Sequence, residues 1–304
     1  MEQKSMTALI SAFSRAYHAE NNDVKIFNDS VARLLLTDEE FSQISKSMAD
    51  GIHFFNPSFS GTPEEALRWV VDNQLSPSPL GRAAFAEQSL ETAVSIGATQ
   101  YLILGAGYDT FAYRQPDWAA KLQIFELDHP VTARDKKIRL DAAELAIKNN
   151  VYHIAADFTK EQWWSALTQN SSFSREKISF CSILGVAYYL SRESFEKLIS
   201  AISSLVPKGS SIVFDYPDEN SYTAKAGSRA KKQAMLAGAA NEKMLASYSY
   251  EDMEKLMAAY GFLIYEHLTP LDITAQYFET YNRANPSHFM TAFDNVDYCL
   301  AIKR

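Results

Sequence analysis

The chain has 304 residues, 47% of them apolar and 22% charged, which is enough apolar material for a large buried core and an ordinary balance for a globular protein. A formal net charge of −8 argues against a nucleic-acid partner, since phosphate binding calls for a basic stripe. Two cysteines, Cys181 and Cys299, each inside an apolar run, exclude a disulfide framework and a cysteine metal site, and read as small buried hydrophobes.

Met6–Glu20 carries apolar residues at Leu9, Ile10, Phe13, Ala16 and Tyr17, a helical spacing. Met1–Lys4 leads into this polar, amphipathic segment without the apolar run of a signal peptide, and no stretch reaches transmembrane length. The expected location is the cytoplasm, with no membrane partner. A second short helix is expected over Ser30–Leu36. Met48–Gln74 is mixed. Within it Asn56-Pro57-Ser58-Phe59 reads as a turn and Thr62-Pro63-Glu64-Glu65 as a helix start, with Thr62 as N-cap, Pro63 first in the helix and acids in the first turn. Pro79–Gly97 reads as a long helix with Leu80, Ala84, Leu90, Ala93 and Val94 on its apolar face, and Gly97 supplies the stop. Residues 1–97 are expected to form a helical cap and substrate lid.

From Tyr101 onward, strand-like and helix-like segments alternate. Strands are expected at Tyr101–Leu104, Gln123–Leu127, Val151–Ala155, Ile178–Leu184 and Ser211–Phe214, and helices at Val131–Asn149, Lys160–Thr168 and Arg192–Leu205. Trp163-Trp164 falls on the second of these helices and needs no ligand. Asn220–Ala246, rich in Ala, Lys and Met, reads as a partly exposed helical insertion. The basic residues between Lys225 and Lys232 there read as a solvated face. Tyr250–Tyr260 is a further helix stopped by Gly261, and Phe262–His267 with Tyr298–Ile302 suggests a hairpin-like pair at the sheet edge. The alternation predicts an α/β fold over 98–304: a doubly wound, mostly parallel, seven-stranded Rossmann-like sheet with a helical lid inserted near 220–246.

The chemistry concentrates in Tyr101–Arg114, YLILGAGYDTFAYR, and in IFELDH at Ile124–His129. Glycines such as Gly105 and Gly107 let a backbone approach a ligand, and an acid closing the next strand takes ribose hydroxyls. An adenosine-containing cofactor is expected. A dinucleotide loop would carry a third glycine, where this chain has Thr110, and would not place Asp109 beside two phosphates. S-adenosylmethionine has a ribose, an α-amino group and a carboxylate but no phosphate, and it suits such a loop better.

With these residues in place, the chain resembles the leucine carboxyl methyltransferase and polyketide O-methyltransferase group, class I S-adenosylmethionine-dependent enzymes. The resemblance runs through Ser11–Leu36, Gly81-Arg82-Ala83, the LGAGxDTxxxR signature in Gln100–Arg114, and ELDHP at Glu126–Pro130 with Lys136 and Lys137. It continues through Ala156-Asp157-Phe158, Leu184-Gly185-Val186 with Tyr189-Leu190, and more weakly Asp215-Tyr216 and Tyr277-Phe278. It implies that Arg82 pairs with the cofactor carboxylate, that Gly105, Ala106 and Gly107 pack against methionine and ribose, and that Asp128 accepts from the ribose with His129 beside it. It also implies that Asp157 and Phe158 meet the adenine, with Leu184 nearby. Asp157 also reads as a helix cap, and Asp109 either faces the α-amino group or caps the next turn. The branch of this group that methylates a phosphatase's C-terminal leucine carries an acid after the fourth strand. Ser182–Val186 has none, which places the chain nearer the bacterial secondary-metabolite branch.

The resemblance implies methyl transfer from S-adenosylmethionine to a carboxylate or hydroxyl of a small molecule, leaving S-adenosylhomocysteine. A carboxylate needs no base, whereas a phenol gains from one. The candidate bases are the six histidines, His18, His53, His129, His153, His267 and His288, and none is singled out as catalytic. Tyr17, Tyr188, Tyr189 and Tyr277, with Tyr281, are candidates for an aromatic wall round the acceptor, or for ordinary core. Two other classes share part of the pattern. A nicotinamide-dependent oxidoreductase is disfavoured by Thr110 and by the lack of a Tyr-x-x-x-Lys after the fourth strand, and a non-catalytic cofactor-binding protein is separated only by turnover.

Overall fold

The computed structural model describes residues 5–239 and 243–304. The helical N-terminal part begins with α1 (Met6–Asn21), capped by the Ser5 hydroxyl, and a 3-10 turn at Ala32–Leu35. Next comes α2 (Asp38–Asp50), for which the sequence alone predicts no element. Its apolar residues are sparse, but Thr37 and Glu40 form a reciprocal capping box that fixes its start. After the short α3 (Ile52–Phe55), the Thr62–Glu65 capping box starts α4 (Pro63–Val70) with Pro63 in the first position. A π-turn at Val71–Leu75 leads into α5 (Pro77–Ser95). Leu9, Phe13, Leu36, Ile44 and Val71 form one core of this region, and Tyr108 and Leu140 from the sheet part join it. α1 is therefore packed directly onto the segment that follows β1.

The sheet has seven strands: β1 (Gln100–Leu104), β2 (Gln123–Asp128), β3 (Val151–Ala155), β4 (Ser179–Ile183), β5 (Ser211–Pro217), β6 (Phe262–Leu268) and β7 (Val296–Lys303). Their order is β3-β2-β1-β4-β5-β7-β6, and all are parallel except β7, which runs against both its neighbours. The strand order reverses between β1 and β4, the point in an open α/β sheet where the carboxyl ends leave a crevice for a ligand. β1, β4 and β5 are buried along their whole length, as parallel strands covered on both faces must be.

Strand periodicity divides the core. Leu102, Leu104, Cys181, Ile183 and Ile212 pack on one face with Phe195, Leu198 and Ile202 of α8 (Arg192–Leu205). Tyr101, Ile103, Phe180 and Val213 pack on the other with Leu80, Phe85 and Leu90 of α5. Each fully buried side chain of this kind contributes roughly 1.5–3 kcal/mol. The sheet is also covered by α6 (Pro130–Ala142), α7 (Ser165–Gln169) and α10 (Tyr250–Ala259). No helix among the described residues is long and apolar enough to cross a membrane.

Several boundaries differ from expectation. The helix expected over Val131–Asn149 stops at Ala142, and Glu144 takes a positive φ of 54° just beyond it. The one expected over Lys160–Thr168 is only Ser165–Gln169. The Asn220–Ala246 insertion is helical as α9 (Ser228–Ala239), and residues 240–242 lie outside the described residues. β6 and β7 do pair at the edge, but not as a hairpin. Between them run α11 (Pro270–Ile273), a π-turn (Thr274–Phe278) and α12 (Glu279–Ala284), and β7 inserts between β5 and β6.

Candidate active site

At the end of β1 the chain turns through Gly105 and Gly107, both at positive φ (78° and 48°). A Cβ on Gly105 would lie 2.3 Å from Val186 Cγ2, so both conformation and space require glycine there. The Gly105 and Ala106 amides donate to Leu127 O at 2.8 and 3.1 Å, which ties the loop to β2. Asp128 closes β2. Its Oδ1 accepts from the His129 amide at 2.6 Å and its Oδ2 from the Gly107 amide. Burial pushes its carboxyl above the ordinary carboxylate pKa, against the pull of these two amides.

A buried ionic network braces this loop from behind. Arg15 on α1 donates from Nε to Asp29 Oδ2 (2.8 Å), from Nη1 to Ser11 Oγ (2.9 Å) and from Nη2 to Tyr108 O (2.7 Å). Thr110, in the place of a third glycine, donates from Oγ1 to Asp29 Oδ1 at 2.6 Å and accepts from Arg114 Nε at 2.9 Å. Arg114 Nη1 reaches Glu87 Oε2 at 2.9 Å. Burial raises the Asp29 carboxyl pKa, but Arg15 and Arg114 outweigh it and hold the group below its usual value. Thr110 is thus a fastening of the loop onto the helical cap. Glu126, the other acid of β2, stands outside the site and pairs with the buried Lys136 at 2.7 Å.

On the other side of the switch point, Gly185 (φ 69°) donates its amide to Asp215 Oδ1 at 2.6 Å, and Tyr188 donates its hydroxyl to Asp215 Oδ2 at 2.9 Å. Arg82, near the start of α5, is 3.3 Å from Asp215 Oδ2 and 3.5 Å from Ser11 Oγ. A Cβ on Gly185 would lie 2.4 Å from Arg82 Nη1. After β3, Asp157 Oδ1 accepts from the Thr159 amide (3.0 Å) and hydroxyl (2.6 Å). Burial acts to raise its pKa, and the Thr159 bonds more than reverse that. Asp109 Oδ1 caps the Phe111 amide at 2.8 Å. Phe158 meets Trp163 edge to face, with ring centroids 5.1 Å apart.

The two glycine turns and several of the groups round them border one cavity of about 1030 Å³ at the carboxyl ends of the strands. Arg82, Gly105, Ala106, Gly107, Asp109, Asp128, His129, Asp157, Phe158 and Leu184 all line it, as do Tyr188 and Tyr189. Tyr17 and Tyr277 do not. The cavity face of α1 carries Thr7, Ile10, Ser11 and Arg15. Tyr17, two turns beyond Ile10 towards the C-terminal end of α1, packs on Phe13 instead. Tyr277 sits in the π-turn and donates to Gln88 Oε1 at 3.1 Å. Tyr281, also buried outside the cavity, donates to Asn22 Oδ1 at 3.2 Å.

Of the histidines only His129 lines the cavity, and its Nδ1 accepts from the Val131 amide at 3.4 Å as the N-cap of α6. His18, His153, His267 and His288 are engaged elsewhere, with Ile26 N, Glu126, Tyr216 and Asp72 respectively, and His53 is an exposed residue of α3. The rest of the wall was not singled out from sequence. It includes Met48, Phe55 and Leu75 from the cap, Leu236 from α9, and Met244 and Leu245 just beyond it. Each reads alone as ordinary core, and only the fold brings them together.

A model of the leucine carboxyl methyltransferase family matches residues 8–203. An S-adenosyl-L-methionine-dependent methyltransferase of Bacillus subtilis, YktD, is 42% identical over 307 residues, covering 99% of each chain. A methyltransferase of the same description from Mycobacteroides abscessus is 26% identical over 81% of this chain and 77% of its own. Among solved structures, a methyltransferase of Thermobifida fusca superposes with a TM-score of 0.56 at 13% identity over 99% of this chain and 96% of that one. A protein of Streptomyces avermitilis does so with a TM-score of 0.57 at 11% identity over 97% of both. These two structures share the fold.

Proposed function

The chain belongs to the leucine carboxyl methyltransferase family and is an S-adenosylmethionine-dependent methyltransferase, and from that premise we propose that it methylates an oxygen, carboxylate before hydroxyl, on a small apolar metabolite of secondary-metabolite type. The observation that carries this reading is the contrast between the two sides of the cavity. Among the described residues the carboxylates on its wall are Asp109, Asp128 and Asp157, all at or just beyond the strand ends, and each already accepts a backbone amide. The cap and α9 contribute Met48, Phe55, Leu75 and Leu236, with Met244 beyond α9, and among the described residues of these segments no carboxylate or histidine lines the cavity. A carboxylate is ionised at neutral pH and reacts without a base, whereas a phenol at a pKa of about 10 would need one. Lys243, exposed at the cavity edge, favours an anionic acceptor.

The residues present fit the cofactor. A cavity of about 1030 Å³ lies against Gly105 and Gly185, Asp128 and Asp157 offer acceptors to the ribose hydroxyls and the adenine amino group, and Arg82 offers a guanidinium to a carboxylate. S-adenosylmethionine brings an electrophilic methyl group on sulfur. The protein's part is to align the acceptor oxygen with that methyl and keep water out, the source of the effective molarities of about 10⁵–10⁸ M found for well-oriented reactants. Residues 1–97 and α9 would serve as the cap and lid that do this, over a cofactor domain spanning 98–304. The two unpaired, buried thiols, Cys181 and Cys299, suit a cytoplasmic enzyme.

The test is transfer of tritiated methyl from S-adenosylmethionine to decanoate, naphthoate and naphthol. Alkali releases volatile methanol from a methyl ester but not from a methyl ether. Alkali-labile product from the acids, exceeding any stable product from naphthol, is expected. Transfer confined to amine or thiol acceptors would overturn the reading.

A further inference from the structure

Ser11 lies midway along α1, on the face that lines the cavity. Its hydroxyl oxygen accepts from two guanidiniums, Arg15 Nη1 at 2.9 Å and Arg82 Nη2 at 3.5 Å. A hydroxyl has one proton to donate as well as lone pairs to accept with, and among the described residues nothing accepts the proton of Ser11. Arg82 is held loosely by comparison with Arg15. Its contacts to Asp215 and Ser11 are 3.3 and 3.5 Å, whereas those of Arg15 are 2.7 to 2.9 Å. Both side chains border the cavity beside Gly185, where a Cβ would collide with the guanidinium. One unspent hydroxyl proton and one underused guanidinium therefore stand at the same spot, and together they make a site for a carboxylate.

We propose that Ser11 is a cofactor ligand: polarised by Arg15 and Arg82, it donates its proton to the carboxylate of the cofactor's methionine moiety. This rests on the proposed pairing of Arg82 with that carboxylate. It has a consequence for α1, which lies across the glycine loop with Ala8 Cβ 3.4 Å from where a Gly107 Cβ would be. Because Ser11 is on α1, the carboxylate site is complete only when α1 is seated on Asp29 through Arg15. Cofactor binding and the seating of the N-terminal helix become one event.

Calorimetric titration of the full chain, as wild type, Ser11→Ala and Ser11→Thr, with S-adenosylmethionine and with its decarboxylated analogue tests this. The analogue keeps the adenine, ribose, sulfonium and amino group and lacks the carboxylate. Ser11→Ala is expected to weaken S-adenosylmethionine binding about tenfold, the effect of a hydrogen bond to a charged group. It should leave the analogue's affinity unchanged, and Ser11→Thr should restore binding. An equal loss for both ligands, as a merely structural defect would give, or no loss for either, overturns the proposal. If wild type binds the two ligands equally well, the assignment of Arg82 fails too. If wild type prefers S-adenosylmethionine and Ser11→Ala keeps the full preference, Arg82 stands and only the role of Ser11 falls.

Discussion

The two sides of the cavity are held by different means. On the side of the strand ends, the glycine loop is fixed by short, buried ionic contacts. Asp29 is wholly buried and takes Arg15 and Thr110 at 2.8 and 2.6 Å, with Arg114 at 3.5 Å. On the side of the cap, α9 is fastened mainly through two cations on backbone carbonyls: Arg229 on Thr291 O at 3.1 Å and Asn73 O at 3.4 Å, and Lys232 on Phe55 O at 2.6 Å, with the exposed Asp294 carboxylate 3.8 Å from Arg229. Met235 and Leu236 of α9 remain exposed. Removing a partner from the first arrangement leaves buried charges unpaired, whereas removing one from the second costs a hydrogen bond. The stiff side therefore suits a ligand of fixed shape, and the loosely tied side is where acceptor specificity can vary without disturbing the fold.

The largest expected effect is at the stiff side. Asp29→Ala leaves Arg15 and Arg114 buried without their shared carboxylate, and should cost about 3–5 kcal/mol of stability, read as a lower urea midpoint at unchanged slope. A loss below about 1 kcal/mol, no more than a surface ion pair is worth, would erase the contrast between the two sides. Asp128→Ala acts on the same side without touching that brace. It should weaken S-adenosylhomocysteine binding by ~1–3 kcal/mol as the ribose loses its acceptor, with the melting temperature little changed. Unaltered affinity in the folded variant would remove Asp128 from the cofactor.

The stiff side should also carry an acid sensitivity. His18 on α1 is completely buried, its Nε2 accepts the Ile26 amide at 3.0 Å, and burial, helped by Arg68 and Lys25, pushes its pKa down to about 3. The unfolded chain, with a histidine pKa near 6.5, binds this proton more readily than the folded one. Stability is therefore full above about pH 6.5 and falls below it, by up to about 1.4 kcal/mol per pH unit until the folded pKa is reached. Urea titrations at neutral and mildly acid pH should show a shallower acid loss for His18→Gln than for wild type. Equal losses would show that other groups carry the acid sensitivity.

Much of the stiff side could be read in the sequence because its signals are local. Gly105 and Gly107 follow an apolar run, Asp128 ends the next one, and Thr62 and Pro63 announce α4 within four residues. What escaped is non-local. Thr110 reads as a missing glycine until Asp29 is placed beside it, and Asp215 acquires its role only when β5 brings it to Gly185 and Arg82. The start of α2 was written in Thr37 and Glu40, but its stripe of Phe41, Ile44 and Met48 is too thin to identify a helix without its neighbours. The acceptor wall draws on α2, α3, the π-turn after α4, and the segment beyond α9, so no window of sequence contains it.

The smallest effect should come from the loosely tied side, and it separates the two sides most cleanly. Arg229→Gln removes the fork that joins α9 to Thr291 O and Asn73 O, and with it a 3.8 Å ion pair to the exposed Asp294, at a half-buried position. A stability loss of about 1 kcal/mol or less is expected, with S-adenosylhomocysteine affinity unchanged because Arg229 touches nothing at the strand ends. Local opening of α9 should nevertheless become easier. When reclosing outpaces cleavage, proteolysis follows the population of the open form, so trypsin should cut at Lys231 or Lys232 several-fold faster in the variant, by more than its small global loss accounts for. Bound S-adenosylhomocysteine should not slow that cut, since the contacts proposed for it lie at the strand ends. Protection of α9 by the cofactor product alone would mean that the lid is coupled to the cofactor side, and acceptor binding could then not be tuned independently of it.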